Sequence, residues 1–574
     1  MNNRTYIKNT ALLFAAMAVT KVIGAVFKIP LANILGGTGM GYFSAAYGLY
    51  SPIFALTAAG VPTVIMRLTA QNVALGRHKN ALRIKHTAAL MFTVIGTVGT
   101  AAVLLLAVPF SNTVACSPES APAVAMIAPA VLFCCVGAVI RGYYEGMSDV
   151  LPSAVANIVE AASRAIAGLI LSYAAIGYAK YRFNNGLPVF GKSCATYEQA
   201  YDIAVPWAAA FAVLAVTISE ICGLAALIIQ DRRKRKKLPY NNEPPVQQRK
   251  DIARRILKDA IPIAVFALVM NCFSFIDLLT VTRTITSSAA NAPDYFRRAF
   301  SDVLAAGIEM DEIANFMYGS YTGISMSLFM LIPSFAGMSE KTALPEIAAA
   351  WERNNADEVS DKICFLMKTN ALIGFPACFG AATLAEPVLN MLYPSRAAEV
   401  SVCTNSFTVL CISGMLMVTT SALSGVFQAI GKPLIPLVTM SIAVAVKAIL
   451  NPILLSVPQL NITGAALATA GGYLAAAIAG LAIMNRYVRA ISLLRTYILP
   501  LLYSLVCSAS ASAVYHVLAA NTNQPIATVS AVSAGVLVYV ILLIINGAFR
   551  TTPIIKWVKT KKIGKGLAKS QKIG

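Results

Sequence analysis

Windows of about 20 consecutive apolar residues, the length a helix needs to cross roughly 30 Å of hydrocarbon, recur along this chain from one end to the other. Inside lipid no water satisfies backbone N–H and C=O groups, so such windows must close their hydrogen bonds internally, as helices. Fourteen are legible, at 10–34, 42–66, 87–109, 121–144, 152–178, 203–229, 257–281, 316–338, 363–385, 402–426, 434–456, 463–485, 497–520 and 525–549. With 57% hydrophobic and 12% charged residues and a mean hydropathy of +0.69, the chain is too apolar for a soluble protein. The expected fold is therefore an all-α polytopic membrane protein of about fourteen transmembrane helices. The first window is too long for a signal peptide and lacks its small-residue cleavage pattern, which predicts that it stays as helix one.

The net charge of +21 suggests nucleic acid until its placement is read. Only 7 of the 46 Lys and Arg fall in loops after odd-numbered windows, against 32 in the N-terminus, the loops after even-numbered windows and the C-terminus. That asymmetry is the positive-inside pattern and predicts that both termini are cytoplasmic. The densest runs, "DRRKRKKLPYNNEPPVQQRKDIARR" at 231–255 and "KWVKTKKIGKGLAKSQK" near the C-terminus, suit anionic lipid headgroups. No aromatic platform accompanies them, so no nucleic-acid partner is expected.

Chemistry of the usual soluble kinds is not encoded. There is no CxxC among eleven cysteines, the three histidines have no ligand spacing, and no Walker, GxSxG or HExxH string occurs. No enzyme activity, metal or cofactor is expected. Cys116 and Cys194 fall in loops on the same predicted side and admit a pairing. "GGTGMG" at 36–41 sits between two apolar windows and reads as a tight external turn.

Weak internal repetition divides the chain. "YGLY" at 47–50 returns as "YGSY" at 318–321; "GYYEGMSDVLP" at 142–152 is answered by "GVFQAIGKPLIP" at 425–436, and "RAIAGLI" at 164–170 by "KAILNPI" at 447–453. Partner windows lie six apart, so both copies enter the membrane in the same sense, as parallel repeats about an axis along the membrane normal. This predicts an N-terminal lobe at 1–230, a basic linker at 231–256, a C-terminal lobe at 257–490, two further spans at 491–549 and a basic tail at 550–574.

An ionisable group near the bilayer centre costs about 2.5–3.5 kcal/mol on insertion scales and marks function by default. Lys21 and Lys28 lie seven residues apart on window one, about 20° from each other around the helix and so on one face. Glu160 and Arg164 stand at i and i+4 on window five, Glu220 in window six, Asp277 in window seven with Arg283 near its outer end, and Lys447 in window eleven at the repeat position of Arg164. Converging, the cations make a cleft for an anionic group such as a phosphate or pyrophosphate. Structural readings stand beside these: Lys28 snorkelling to the interface, Glu160 and Arg164 as an internal ion pair, Asp277 capping backbone or pairing with Arg283.

The strings "TKVIGAVFKIPLANILGGTGMGYFSAAYGLY", "AAGVPTVIMRLTAQ", "RGYYEGMSDVLPSAVANIVEAASR", "FQAIGKPLIP" and "NITGAALAT" resemble the polysaccharide-transporter branch of the multidrug/oligosaccharidyl-lipid/polysaccharide exporter superfamily, specifically its stage V sporulation protein B group, over about residues 5–550. The resemblance implies a flippase for an undecaprenyl-pyrophosphate-linked saccharide, a peptidoglycan precursor or polysaccharide unit, working by alternating access between two lobes in the cell-wall pathway, with cell-wall synthesis proteins as partners. It further implies that Lys21 and Lys28 occupy the two basic positions of the family's first span and Arg283 a third, all toward the diphosphate, with Arg164 and Lys447 adding charge. Lysine replaces the usual arginine at Lys21, and "EGM" stands where "QGM" is frequent; lysine keeps the charge but loses bidentate geometry. Glu160, Glu220 and Asp277 are then candidates for Na⁺ or H⁺ coupling. The alternatives are a drug/cation antiporter of the same superfamily, which wants an acidic cavity, and a non-transporting scaffold for cell-wall synthesis.

Overall fold

The computed structural model describes residues 3–235, 247–305, 307–487 and 494–545. The centre of the basic linker, 236–246, and the basic tail, 550–574, lie outside the described residues. Among the described residues every regular element is a helix, apart from one isolated bridge between Val189 and Lys192. In order the helices are α1 (Asn3–Thr57), α2 (Val61–Ala74), α3 (His78–Thr113), α4 (Ala121–Gly146), α5 (Leu151–Asn184), α6 (Tyr197–Arg235) and α7 (Arg249–Asn291). The short α8 (Pro293–Ala299) and α9 (Ser301–Ala305) lead to α10 (Ile313–Ser320), α11 (Met326–Phe329), α12 (Leu331–Glu352), α13 (Ala356–Thr383) and α14 (Ala385–Leu392). Then come α15 (Ala397–Ala429), α16 (Leu434–Leu455), α17 (Thr463–Met484), α18 (Leu499–Ala519) and α19 (Gln524–Ile545).

Twelve helical stretches among the described residues are long and apolar enough to cross a membrane, and the protein is a multi-pass membrane protein. The number falls below fourteen for two reasons. Windows one and two share the continuous α1, in which only Gly36 leaves helical geometry, at φ 65° and ψ −174°; the expected tight turn at "GGTGMG" is a single-residue break. Window eight lies on helix in pieces: α10, a π-turn at Tyr321–Ser325, α11 and then α12.

The helices divide into two packing units. One comprises Met1–Leu331, Leu392–Leu410 and Lys432–Gly480; the other comprises Ile332–Met391, Cys411–Gly431 and Leu481–Gly574. Within the first, small residues let backbones meet, the usual device for helices in lipid. A methyl group at Gly142 or Gly146 of α4 would strike the backbone of α2 at Pro62 or Met66, one at Gly48 of α1 would strike Leu278 of α7, and one at Gly319 of α10 would strike α1 at Gly37 and Gly41. Gly48 and Gly319 are the glycines of the repeated "YGLY" and "YGSY" strings, so each copy spends its glycine on a close helix crossing.

Within the second unit, α18 and α19 pack on α13, where Tyr539 donates to the Leu372 carbonyl at 2.6 Å. Glu340 of α12 accepts from Asn370 of α13 at 2.9 Å and Ser421 of α15 at 3.1 Å, a polar knot of three helices that the apolar-window reading did not find. Cys116 and Cys194 are free thiols.

Candidate functional site

A cavity of about 380 Å³ lies within the first unit. Its walls come from α1 (Lys28, Tyr47, Ser51), α5 (Arg164), α7 (Asn271, Ser274, Asp277) and the segmented helix (Tyr318, Thr322, Ser327). Each contributor is placed by a local cause. Lys28 is fixed by donating from Nζ to Ser327 Oγ at 3.1 Å, and Ser327 in turn bonds the Thr322 carbonyl at 3.0 Å. The helix passes through a π-turn there, where the Thr322 hydroxyl donates to the Tyr318 carbonyl at 2.8 Å and lies 2.7 Å from the Ser44 hydroxyl of α1.

Arg164 reaches the same cavity from α5. Its Nε donates to Ser219 at 3.2 Å and its Nη2 to Glu220 Oε1 at 3.3 Å, while a third of the side chain stays exposed. Arg164 also borders a smaller pocket of about 180 Å³ with Thr20, Gly24, Phe27, Asn157 and Glu160. Two cations thus face one cavity, one held by the Ser327 hydroxyl and the other by the Ser219 hydroxyl and one carboxylate. That arrangement favours an anion with several acceptor oxygens.

The other residues singled out from sequence are placed elsewhere. Lys21 is exposed and lines neither of these cavities, and Arg283 is also exposed. Glu160 is not the partner of Arg164 at i+4; it bonds Arg141 of α4. Asp277 borders the cavity but is held by Lys447, at 2.7 Å, and by Asn451, at 3.0 Å, rather than by Arg283. Lys447 is completely buried and does not line the cavity. Arg141, Ser219, Ser327 and Asn451 were not anticipated. Arg141 carried a signal, as an arginine inside window four beside the repeated "GYYEGM" string.

The break at Gly36 aims α1 into this site and is splinted from far along the chain. The freed carbonyl of Asn33 accepts from Arg396 at 2.7 Å, that of Ile34 accepts from Tyr201 at 3.0 Å, and the Gly37 N–H donates to Glu399 at 3.0 Å. These bonds satisfy the groups a helix break orphans. Just beyond, Asn315 of α10 donates to the Thr38 carbonyl at 3.2 Å, at the Gly37, Gly41 and Gly319 crossing. Glu312 precedes α10, and burial, with Asp202 and neighbouring carboxylates adding repulsion, pushes its carboxyl up from the usual range.

The family described as Polysaccharide biosynthesis protein matches over residues 6–182. The chain is 23% identical to Stage V sporulation protein B of Bacillus subtilis (strain 168), over 97% of this chain and 99% of that one. It is 21% identical to Lipid II flippase MurJ of the same organism, over 84% and 82%. Among solved structures, Lipid II flippase MurJ in an inward closed conformation superposes with a TM-score of 0.67 over 94% of this chain and 99% of that one, at 14% identity. An inward-facing multidrug resistance MATE family transporter of the MOP superfamily gives 0.59 over 83% and 97%, also at 14% identity. The fold is that of the MOP-superfamily transporters. A sequence likeness that runs nearly the full length of both chains is to Stage V sporulation protein B.

Proposed function

We propose that the protein is a flippase that moves an undecaprenyl-pyrophosphate-linked saccharide across the bacterial cytoplasmic membrane by alternating access. The observation that carries this reading is the pair of cations, Lys28 and Arg164, on one cavity of about 380 Å³ within a chain of apolar helices. The likeness to Stage V sporulation protein B and to Lipid II flippase MurJ supports the substrate class. The diphosphate binds Lys28 and Arg164 while the prenyl tail stays in lipid. Lys21, two turns earlier on the same face of α1 and exposed, meets the diphosphate on its way in from the cytoplasmic side.

Moving one charge through 100 mV is worth about 2.3 kcal/mol, so outward movement of a diphosphate from a negative interior is driven by the membrane potential. The two lobes of the sequence repeat rock about the site, both termini lie in the cytoplasm, and the basic linker and tail hold anionic headgroups. Lys28→Ala should abolish complementation of a flippase-deficient strain at normal expression, whereas Lys28→Arg should keep much of it. Full growth of Lys28→Ala would favour a scaffold role. Dye resistance on overexpression would favour the antiporter, against which a doubly cationic cavity already argues.

A further inference from the structure

The repeat pairs Arg164 with Lys447, yet the structure gives the two cations opposite surroundings. Arg164 borders the cavity; Lys447 is wholly buried, with its Nζ 2.7 Å from Asp277 Oδ2, 2.9 Å from the Phe273 carbonyl and 4.5 Å from the centre of the Phe273 ring. Asp277 Oδ1 accepts from Asn451 Nδ2 at 3.0 Å, and the same amide donates to Thr280 at 2.7 Å. The Asn451 side-chain oxygen is buried and has no hydrogen-bond partner among the described residues, on a residue with no exposed surface. A carboxylate and a backbone carbonyl are oxygens that a monovalent cation selects, an aromatic face attracts a cation too, and none of them suits an anion. Asp277 also forms part of the cavity wall, where a carboxylate without a fixed partner would draw a cation from solution.

We propose that Asp277 Oδ2 and the Phe273 carbonyl, beside the Phe273 ring, form a monovalent-cation site whose resident cation is the chain's own Lys447 ammonium. A charge tethered to α16 needs no loading and cannot be released, so the carrier resets without a coupling ion at this carboxylate. Occupancy of the site is a binding claim that holds whatever the cargo; only this last consequence rests on the transport reading.

Thermal unfolding of the purified full chain in choline, sodium, potassium or methylammonium chloride at equal ionic strength tests the occupancy. Wild type should melt at one temperature in all four salts. Lys447→Ala should melt several degrees lower in choline and recover, saturably with concentration, in at least one of the three small cations. Asp277→Asn/Lys447→Ala, with neither charge left to bury, should fold and show no preference among the salts. A folded Lys447→Ala indifferent to all the cations would overturn the proposal, as would a saturable Na⁺ or K⁺ stabilisation of wild type. Should Lys447→Ala not fold in choline, the wild-type and double-variant arms still decide, since a double variant stabilised by the small cations would also overturn it. Translocation by wild type should run equally fast in sodium and choline buffers. A sodium requirement there, with the unfolding results as expected, would place coupling at another carboxylate and leave the flippase reading intact.

Discussion

At the residue scale, what decides the site is which partner each intramembrane charge finds. Glu160 and Arg164 are spaced for one another, but Arg141 and Glu220 on neighbouring helices take them instead. Spacing along one helix shows which residues share a face; it cannot show what the adjoining helix presents. The Arg141–Glu160 pair is largely buried, so breaking it from one side should cost far more than removing it. Arg141→Ala is expected to destabilise the protein by about 3–5 kcal/mol, whereas Arg141→Met/Glu160→Met should recover most of that loss. Thermal unfolding in detergent measures both, and equal destabilisation by the single and double variants would contradict the assignment. Lys28 is different in kind, because its partner is a hydroxyl and not a carboxylate. It therefore keeps a charge to offer a ligand, and its substitution should cost transport more than stability.

At the element scale the telling feature is α1. Its apolar windows and lysines were readable, as was the glycine-rich string between them, but the string was read as a turn because glycine signals any departure from helix. Only the structure shows that one residue, Gly36, makes the departure, and that Arg396 and Glu399, more than 350 positions later, hold it. No local pattern encodes a partner at that distance. The φ/ψ of Gly36 lie in a region essentially reserved for glycine, so Gly36→Ala should cost about 1–3 kcal/mol and misdirect Lys28, read as lowered stability together with lowered complementation. The crossing of α1 and α10 is equally exacting. A cysteine pair Thr38→Cys/Asn315→Cys should crosslink in the wild-type background and lose that crosslink when Gly319→Val is added, because the valine would collide with the backbone of α1. Crosslinking at an undiminished rate would contradict the close crossing.

At the scale of the whole molecule, the sequence readily yielded a helical multi-pass membrane protein, since hydrocarbon leaves the backbone no alternative. The count of helices was less legible, because a window measures apolar length and not continuity: α1 carries two windows, and α10 to α12 share one. The paired strings put two glycines at helix crossings and two cations at matched positions. Matched positions in two strings could not reveal that Arg164 faces a cavity and Lys447 a carboxylate. If both termini are cytoplasmic, as the basic loops imply, reporters fused at either end should be active only inside the cell.

Transport of radiolabelled undecaprenyl-pyrophosphate-linked saccharide, in vesicles holding the purified protein under an imposed potential, tests the cationic cavity most directly. The substrate-loaded side should be negative. The wild-type rate should rise with the potential, and Lys28→Ala, folded and inserted to the same level, should reduce transport to that of protein-free vesicles. Transport by Lys28→Ala at the wild-type rate would show that the cavity between α1, α5 and α7 does not carry the diphosphate.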